Sequence, residues 1–176
     1  MKSKSHKART LAIEVRLRRV GFAVFEGPNR LLEWGIRRWG SDADPVMSVV
    51  DRTAPLLALY SPSVVVLKDL GRTNGTDRRN VIMAVKRKLV KNSSEVHMVK
   101  RAEVRKAFHQ SGNRNKYQIA SAIAEMYPDL KGKVPQKRKT WQPERYNAVL
   151  FDAIALALAH RSECGSCNNL TISEDA

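Results

Sequence analysis

SVVVLKDL, residues 63–70, decides how this chain is built, because Val64, Val65, Val66 and Leu67 form an unbroken and mostly β-branched run. A strand with one face in water alternates apolar and polar residues, whereas an uninterrupted apolar run belongs to a strand covered on both faces. Such a strand sits inside a sheet, with helices packed above and below. On its N-terminal side, Val46, Val49, Val50, Ala54, Leu57 and Ala58 recur near helical spacing, predicting a helix over 45–60 that Pro55 interrupts and Ser61-Pro62 ends. On its C-terminal side, the loop GRTNGTD (71–77) leads into a helix through NVIMAVKRKLV (80–90), with Val81, Ile82, Val85 and Leu89 on its apolar face.

Further out, TLAIEVRL (10–17), VGFAVFEG (20–27) and RLLEWGIRRW (30–39) read as three antiparallel strands separated by turn residues. In the first of these, Leu11, Ile13, Val15 and Leu17 alternate with Ala12, Glu14, Arg16 and Arg18, the pattern of a strand with one wet face. EVHMV (95–99) supplies a fifth strand. AEVRKAFHQ (102–110) and NKYQIASAIAEMY (115–127) are helices, and Pro128 ends the second. A basic loop, KGKVPQKRKTWQP (131–143), precedes a last helix, ERYNAVLFDAIALALAH (144–160). The order predicts an α/β fold, a mixed five-stranded sheet with helices on both faces.

The length of 176 residues fits one domain able to bury a core without metals or disulfides. The expected division is a basic disordered arm at 1–9, a folded domain at 10–161 and a loose tail at 162–176. The arm lacks the apolar segment of a secretory signal and no long apolar run spans a membrane, so a cytoplasmic location is expected. Cys164 and Cys167 with His160 offer at most three zinc ligands where a structural site takes four, so no zinc is expected. Thirty-two Lys and Arg against seventeen Asp and Glu leave a formal charge of +15, which favours a polyanionic partner, nucleic acid ahead of an anionic membrane.

One carboxylate stands out. Between Ala148 and Ala159 the last helix is apolar everywhere except Asp152, and an isolated charge on a helix buried all round costs several kcal/mol unless something faces it. Glu14, on the polar face of the first strand, and Asp69, at the tip of the central strand, are candidates to converge with it. A cluster of hard oxygen ligands takes magnesium or manganese, and paired metals about 4 Å apart can activate water against a phosphodiester. A basic protein with that cluster suggests a nuclease. The alternative for Asp152 is a buried acceptor or a salt bridge to an arginine.

The residues resemble the RuvC-like branch of the RNase H fold, which includes Holliday junction resolvases. FDAIALALAH (151–160) is similar to the family's closing motif of an Asp followed by small and apolar residues, LAIEVRLRRVGFAV (11–24) to its opening motif, and SGNRNKYQIASAI (111–123) to its segment carrying a Lys before a helix. The resemblance covers about Leu11 to His160. It implies catalytic acids at Glu14 and Asp152, with Lys116 as a charge stabiliser, Mg2+ or Mn2+ as cofactor, branched DNA as substrate, and a homodimer acting across a junction. Asp69 is the proposed third catalytic and metal-binding acid, on the condition that the strand bulges or ends there, since neighbours on a strand point to opposite faces.

Three positions depart from the family. Glu14 stands where it has Asp; Lys68 stands where it has Glu; Val149 stands one turn before Asp152 where another acid or a His is usual. Lys68 either fills the metal position with its own ammonium or binds a phosphate. Glu144 is a weaker catalytic candidate, since an acid at a helix start also serves the dipole. For phosphate tracking the candidates are Lys68, Arg72, Arg101, Arg105, Lys137, Arg138 and Lys139, with Trp141 either stacking on a base or capping the core. The sequence therefore predicts a metal-dependent endonuclease for structured DNA, ahead of RNA. The alternative is a nucleic-acid-binding protein of the same fold that has lost its chemistry.

Overall fold

The computed structural model describes residues 8–71, 76–91, 95–109, 112, 115–137 and 145–163. The chain runs β1 (Arg9–Arg16), β2 (Arg19–Glu26), β3 (Arg30–Arg38), α1 (Pro45–Tyr60), β4 (Val64–Asp69), α2 (Thr76–Lys91), β5 (Glu95–Lys100), α3 (Arg101–His109), α4 (Lys116–Met126), a 3-10 turn (Pro128–Lys133) and α5 (Ala148–Glu163). The sheet order is β3-β2-β1-β4-β5. The β1/β2 and β2/β3 pairs are antiparallel, and β4 runs parallel to both β1 and β5. This is the expected mixed α/β sheet, with β4 in its interior.

Each face carries its own core. Leu11, Ile13, Val15, Val65 and Leu67 pack with Val49 and Leu56 of α1 and with Ile82, Val85 and Leu89 of α2. On the other face Ala12, Ala23, Phe25 and Val66 pack with Phe108 of α3, Ile119 and Ile123 of α4, and Leu150 and Ile154 of α5. The alternation in β1 thus sorts residues between two cores and not between core and water. Leu11 to Val15 are all buried, Glu14 included, so the wet-face reading of β1 fails because α5 covers that face.

Local chemistry explains the boundaries. The Asp44 side chain accepts the Met47 amide at 2.6 Å and starts α1. The helix runs through Pro55, which is exposed; the carbonyl four residues back, on exposed Asp51, can turn to water. Ser61 closes it in the left-handed region, with φ of 42°. The last helix begins at Ala148, later than the 144 expected, after a turn at Tyr146-Asn147. β1 begins at Arg9, and α5 continues to Glu163. Residues 1–7 of the expected arm and 164–176 of the expected tail, with Cys164 and Cys167, lie outside the described residues, as do Arg72, Arg138, Lys139, Trp141 and Glu144. No described helix is long and apolar enough to cross a membrane.

Candidate nucleic-acid interface and its buried acids

Gly21 sets the distance between the sheet and α5. It pairs with Glu14 across the β1/β2 ladder, and a Cβ there would lie 2.3 Å from the Val149 carbonyl oxygen. Only a glycine lets the backbone of α5 lie so close to the sheet. Asp152 follows Val149 by three residues, so the contact brings it over the C-terminal end of β1, beside Glu14.

Glu14 has no solvent exposure. Its Oε1 accepts from Arg78 Nη2 at 2.6 Å, lies 3.3 Å from Lys68 Nζ and forms an ion pair with Arg16 Nη2 at 3.3 Å. The β1/β4 ladder ends at the Ile13 and Leu67 pair, and Arg78, from the first turn of α2, reaches the strand end beyond it. Its Nε donates to the Val15 carbonyl at 2.7 Å. Lys68 shares the α5 face with Val66, two residues earlier.

Asp152 is tied to the same cations. Its Oδ2 accepts from Arg16 Nη2 at 2.5 Å and from Lys116 Nζ at 3.0 Å. Arg16 therefore bridges the two acids. Burial pushes the Asp152 carboxyl upward, but the charges of Lys116, Lys68 and Arg16 together outweigh it and hold the group below its ordinary value. Lys116 occupies the first turn of α4, where the helix dipole disfavours a cation. A capping box holds it there: Asn115 Oδ1 accepts the Gln118 amide and Gln118 Oε1 accepts the Asn115 amide.

The expected convergence of Glu14 and Asp152 is therefore present, with Arg16 between them, Lys68 on Glu14 and Lys116 on Asp152. Asp69 does not join it. Neighbours on a strand point to opposite faces, and Asp69 turns toward α2, where its Oδ1 accepts the Gly71 amide at 2.8 Å and it borders a small recess with Arg79 and Lys86. The sequence reading also missed two partners. Arg16 was detectable, since two residues after Glu14 puts it on the same face. Arg78 left no local signal, because its approach depends on how β1 and β4 end.

The two acids lie beside a cleft of about 670 Å³. Arg16, Lys68, Lys116 and Asp152 line it, and Arg101, Arg105, Lys137 and Arg145 add further charge to the same lining. Of the sequence's phosphate-binding candidates, all four described ones, Lys68, Arg101, Arg105 and Lys137, border this cleft.

These residues do not fit a two-metal centre. Among the described residues no three His, Cys, Asp or Glu side chains gather as metal ligands. Two carboxylates face four cations, and those cations already supply the positive charge that a metal pair would bring. Glu14 Oε2 is buried with no hydrogen-bond partner among the described residues.

No family model matches the chain, and no curated protein matches its sequence. Solved structures do. RuvC of Thermus thermophilus, in complex with a Holliday junction substrate, superposes with a TM-score of 0.65 at 16% identity over 90% of this chain and 97% of that one. The yeast mitochondrial Holliday junction resolvase Ydc2 gives 0.56 at 12% identity, covering 90% and 81% of the two chains. Fowlpox virus resolvase, with Holliday junction DNA, gives 0.51 at 15% identity, covering 88% and 99%. At these identities the likeness establishes the fold: the sheet and helices are those of the RNase H-like fold of the RuvC resolvases.

Proposed function

We propose that this protein binds branched DNA in the basic cleft beside Glu14 and Asp152, holding its phosphates with side-chain cations and not through a pair of metal ions. The observation that carries this reading is the neutralisation of both acids by Arg16, Lys68, Arg78 and Lys116. Four cations against two carboxylates leave the cluster positive, and of its members Arg16, Lys68 and Lys116 line the cleft together with Arg101, Arg105, Lys137 and Arg145. Such a surface takes a polyanion by counterion release. The likeness in fold to proteins solved with Holliday junctions makes a branched duplex the first substrate to try.

In this reading Glu14 and Asp152 are positioning residues. They fix Arg16, Lys68 and Lys116 in defined directions, so less side-chain freedom is lost when a phosphate arrives. Contacts of this type read backbone shape and not base sequence.

The test is to measure binding of a four-way junction, a flap, a linear duplex and the matching RNA in EDTA and in magnesium, with strand cleavage followed in parallel. Junction binding that persists in EDTA, weakens steeply with salt and leaves the strands intact in magnesium or manganese is the expected result. Metal-dependent cleavage that disappears in Asp152→Asn would overturn it in favour of a second reading, a metal-dependent endonuclease. One observation favours that reading, the buried Oε2 of Glu14 with no hydrogen-bond partner among the described residues.

A further inference from the structure

The tip of the β1/β2 hairpin is an apolar point set among arginines. Leu17 is 79% exposed, the highest value among the exposed large hydrophobic residues of the described chain, and it forms a two-residue turn with Arg18 between the paired residues Arg16 and Arg19. Nothing in folding asks for leucine there. Two-residue hairpins favour Asn or Gly at positive φ, yet neither Leu17 nor Arg18 has a positive φ, and the side chain is not buried.

The tip is held rigidly. All eight positions of β1 pair with β2, from Arg9 and Glu26 to Arg16 and Arg19, and the Arg18 carbonyl accepts the Trp39 amide at 3.3 Å at the end of β3. The tip also adjoins the cleft through its neighbour Arg16, which lines it. Arg16, on one side of Leu17, is bonded to Asp152. Arg19, on the other side, lies over the Tyr146 ring at 5.3 Å, and Arg38 lies 5.5 Å from the same ring. Tyr146 in turn follows Arg145, which lines the cleft.

An isolated exposed leucine needs no explanation. A leucine at the apex of a rigid turn, flanked by Arg16, Arg18 and Arg19 beside a basic cleft, matches the way DNA-bending proteins insert an apolar side chain into a base step while arginines hold the flanking phosphates. We infer that Leu17 is a wedge that enters the opened base step at a DNA branch point while the surrounding arginines hold the arms. This inference rests on the branched-DNA reading above and deepens it. A linear duplex must be unstacked to admit the side chain, which costs a few kcal/mol, whereas a branch point already presents an interrupted stack. The wedge would therefore add preference for branched over linear DNA.

The experiment uses a four-way junction carrying 2-aminopurine at the exchange point, and a linear duplex of the same sequence, with the wild type, Leu17→Ser and Leu17→Phe. The wild type is expected to brighten the fluorophore and to prefer the junction. Leu17→Ser should lose the brightening and reduce the junction-to-duplex affinity ratio by about tenfold, while Leu17→Phe keeps both. If the wild type binds neither DNA, the branched-DNA reading falls and the wedge falls with it. If the wild type prefers the junction and Leu17→Ser behaves identically, the wedge alone is wrong. Sedimentation supplies another outcome: a dimer that Leu17→Ser dissociates would make Leu17 a contact between two copies and overturn the inference.

Discussion

A fully buried carboxylate must either take up a proton or be surrounded by positive charge, and Glu14 has Arg16, Lys68 and Arg78 within 3.3 Å. Its removal leaves three cations facing one another. Glu14→Gln is therefore expected to lower stability by about 3 kcal/mol, the range found when one partner of a buried ion pair is removed, and urea unfolding at neutral pH would measure it. Asp152 adds a pH dependence. Its carboxyl is held below its unfolded value of about 3.9, so its ion pairs stabilise the fold fully above that pH. Their contribution is lost as pH falls through the folded value. Urea midpoints should fall from pH 5 toward pH 2.5 more steeply in the wild type than in Asp152→Asn; parallel curves would remove Asp152 from the account. The meeting of these two acids was legible from the helix side, because an isolated Asp on an apolar helix requires a partner and Glu14 lay on the polar face of the strand such a helix would cover; that this face is buried and not wet was not legible. Nor was the partner each acid found. The sequence left Lys68 open between an ammonium in a metal position and a phosphate ligand, and Lys68 meets both in outline, its ammonium lying 3.3 Å from Glu14 while the residue lines the cleft. The substitution that installs an acid follows from this: Lys68→Glu with Glu14→Asp should bind magnesium or manganese by calorimetry more tightly than the wild type does. Equal heats for the two proteins would show that Lys68 does not govern metal binding.

At the level of elements, the site depends on how closely α5 lies against β1 and β2. A Cβ at Gly21 would meet the Val149 carbonyl carbon at 2.6 Å as well as its oxygen at 2.3 Å, and neither backbone atom can turn aside as a side chain would. Gly21→Ala should therefore move α5 outward, at a cost of about 1–3 kcal/mol for overpacking. It should also weaken the Arg16 to Asp152 contact and with it the affinity for DNA. Gly35 is a useful contrast, because its Cβ would meet only the Phe22 ring, at 3.0 Å; Gly35→Ala should cost less and leave DNA affinity near the wild-type value. Equal losses in the two variants would argue against α5 placement as the cause. The elements themselves were largely readable. β4 showed in its run of branched residues, and α1, α2 and α4 showed in apolar spacing and end signals. The errors have tertiary causes. Period-two alternation in β1 cannot tell water from a second core, and only the helix lying on Ala12 and Glu14 decides it. Asp69 could join the acids only through a bulge or an early strand end, but β4 stays in register with β5 through the Asp69 and Lys100 pair, so alternation turns Asp69 to the α2 side. Arg78 reached Glu14 from a different element around the end of a ladder, a relation that no local pattern encodes.

For the whole molecule, the question is whether the charge of +15 is spread evenly or concentrated where DNA would lie. An even distribution would make every lysine and arginine contribute alike to affinity. The fold lets the two cases be separated, because Arg101, Arg105, Lys137 and Arg145 line the cleft on one face of the sheet while α2 carries Arg79, Lys86, Arg87, Lys88 and Lys91 on the other. Each phosphate contact that is lost reduces the slope of log affinity against log salt by about 0.9 for duplex DNA. Arg101→Gln and Arg105→Gln should thus each lower the slope by about one and weaken binding similarly across sequences. Lys88→Gln, an exposed position on α2, should leave the slope unchanged. Titrations between about 50 and 200 mM salt span enough affinity to resolve such differences. If Lys88→Gln lowers the slope as much as Arg101→Gln, the DNA is responding to total charge, and the cleft loses its claim to be the binding surface.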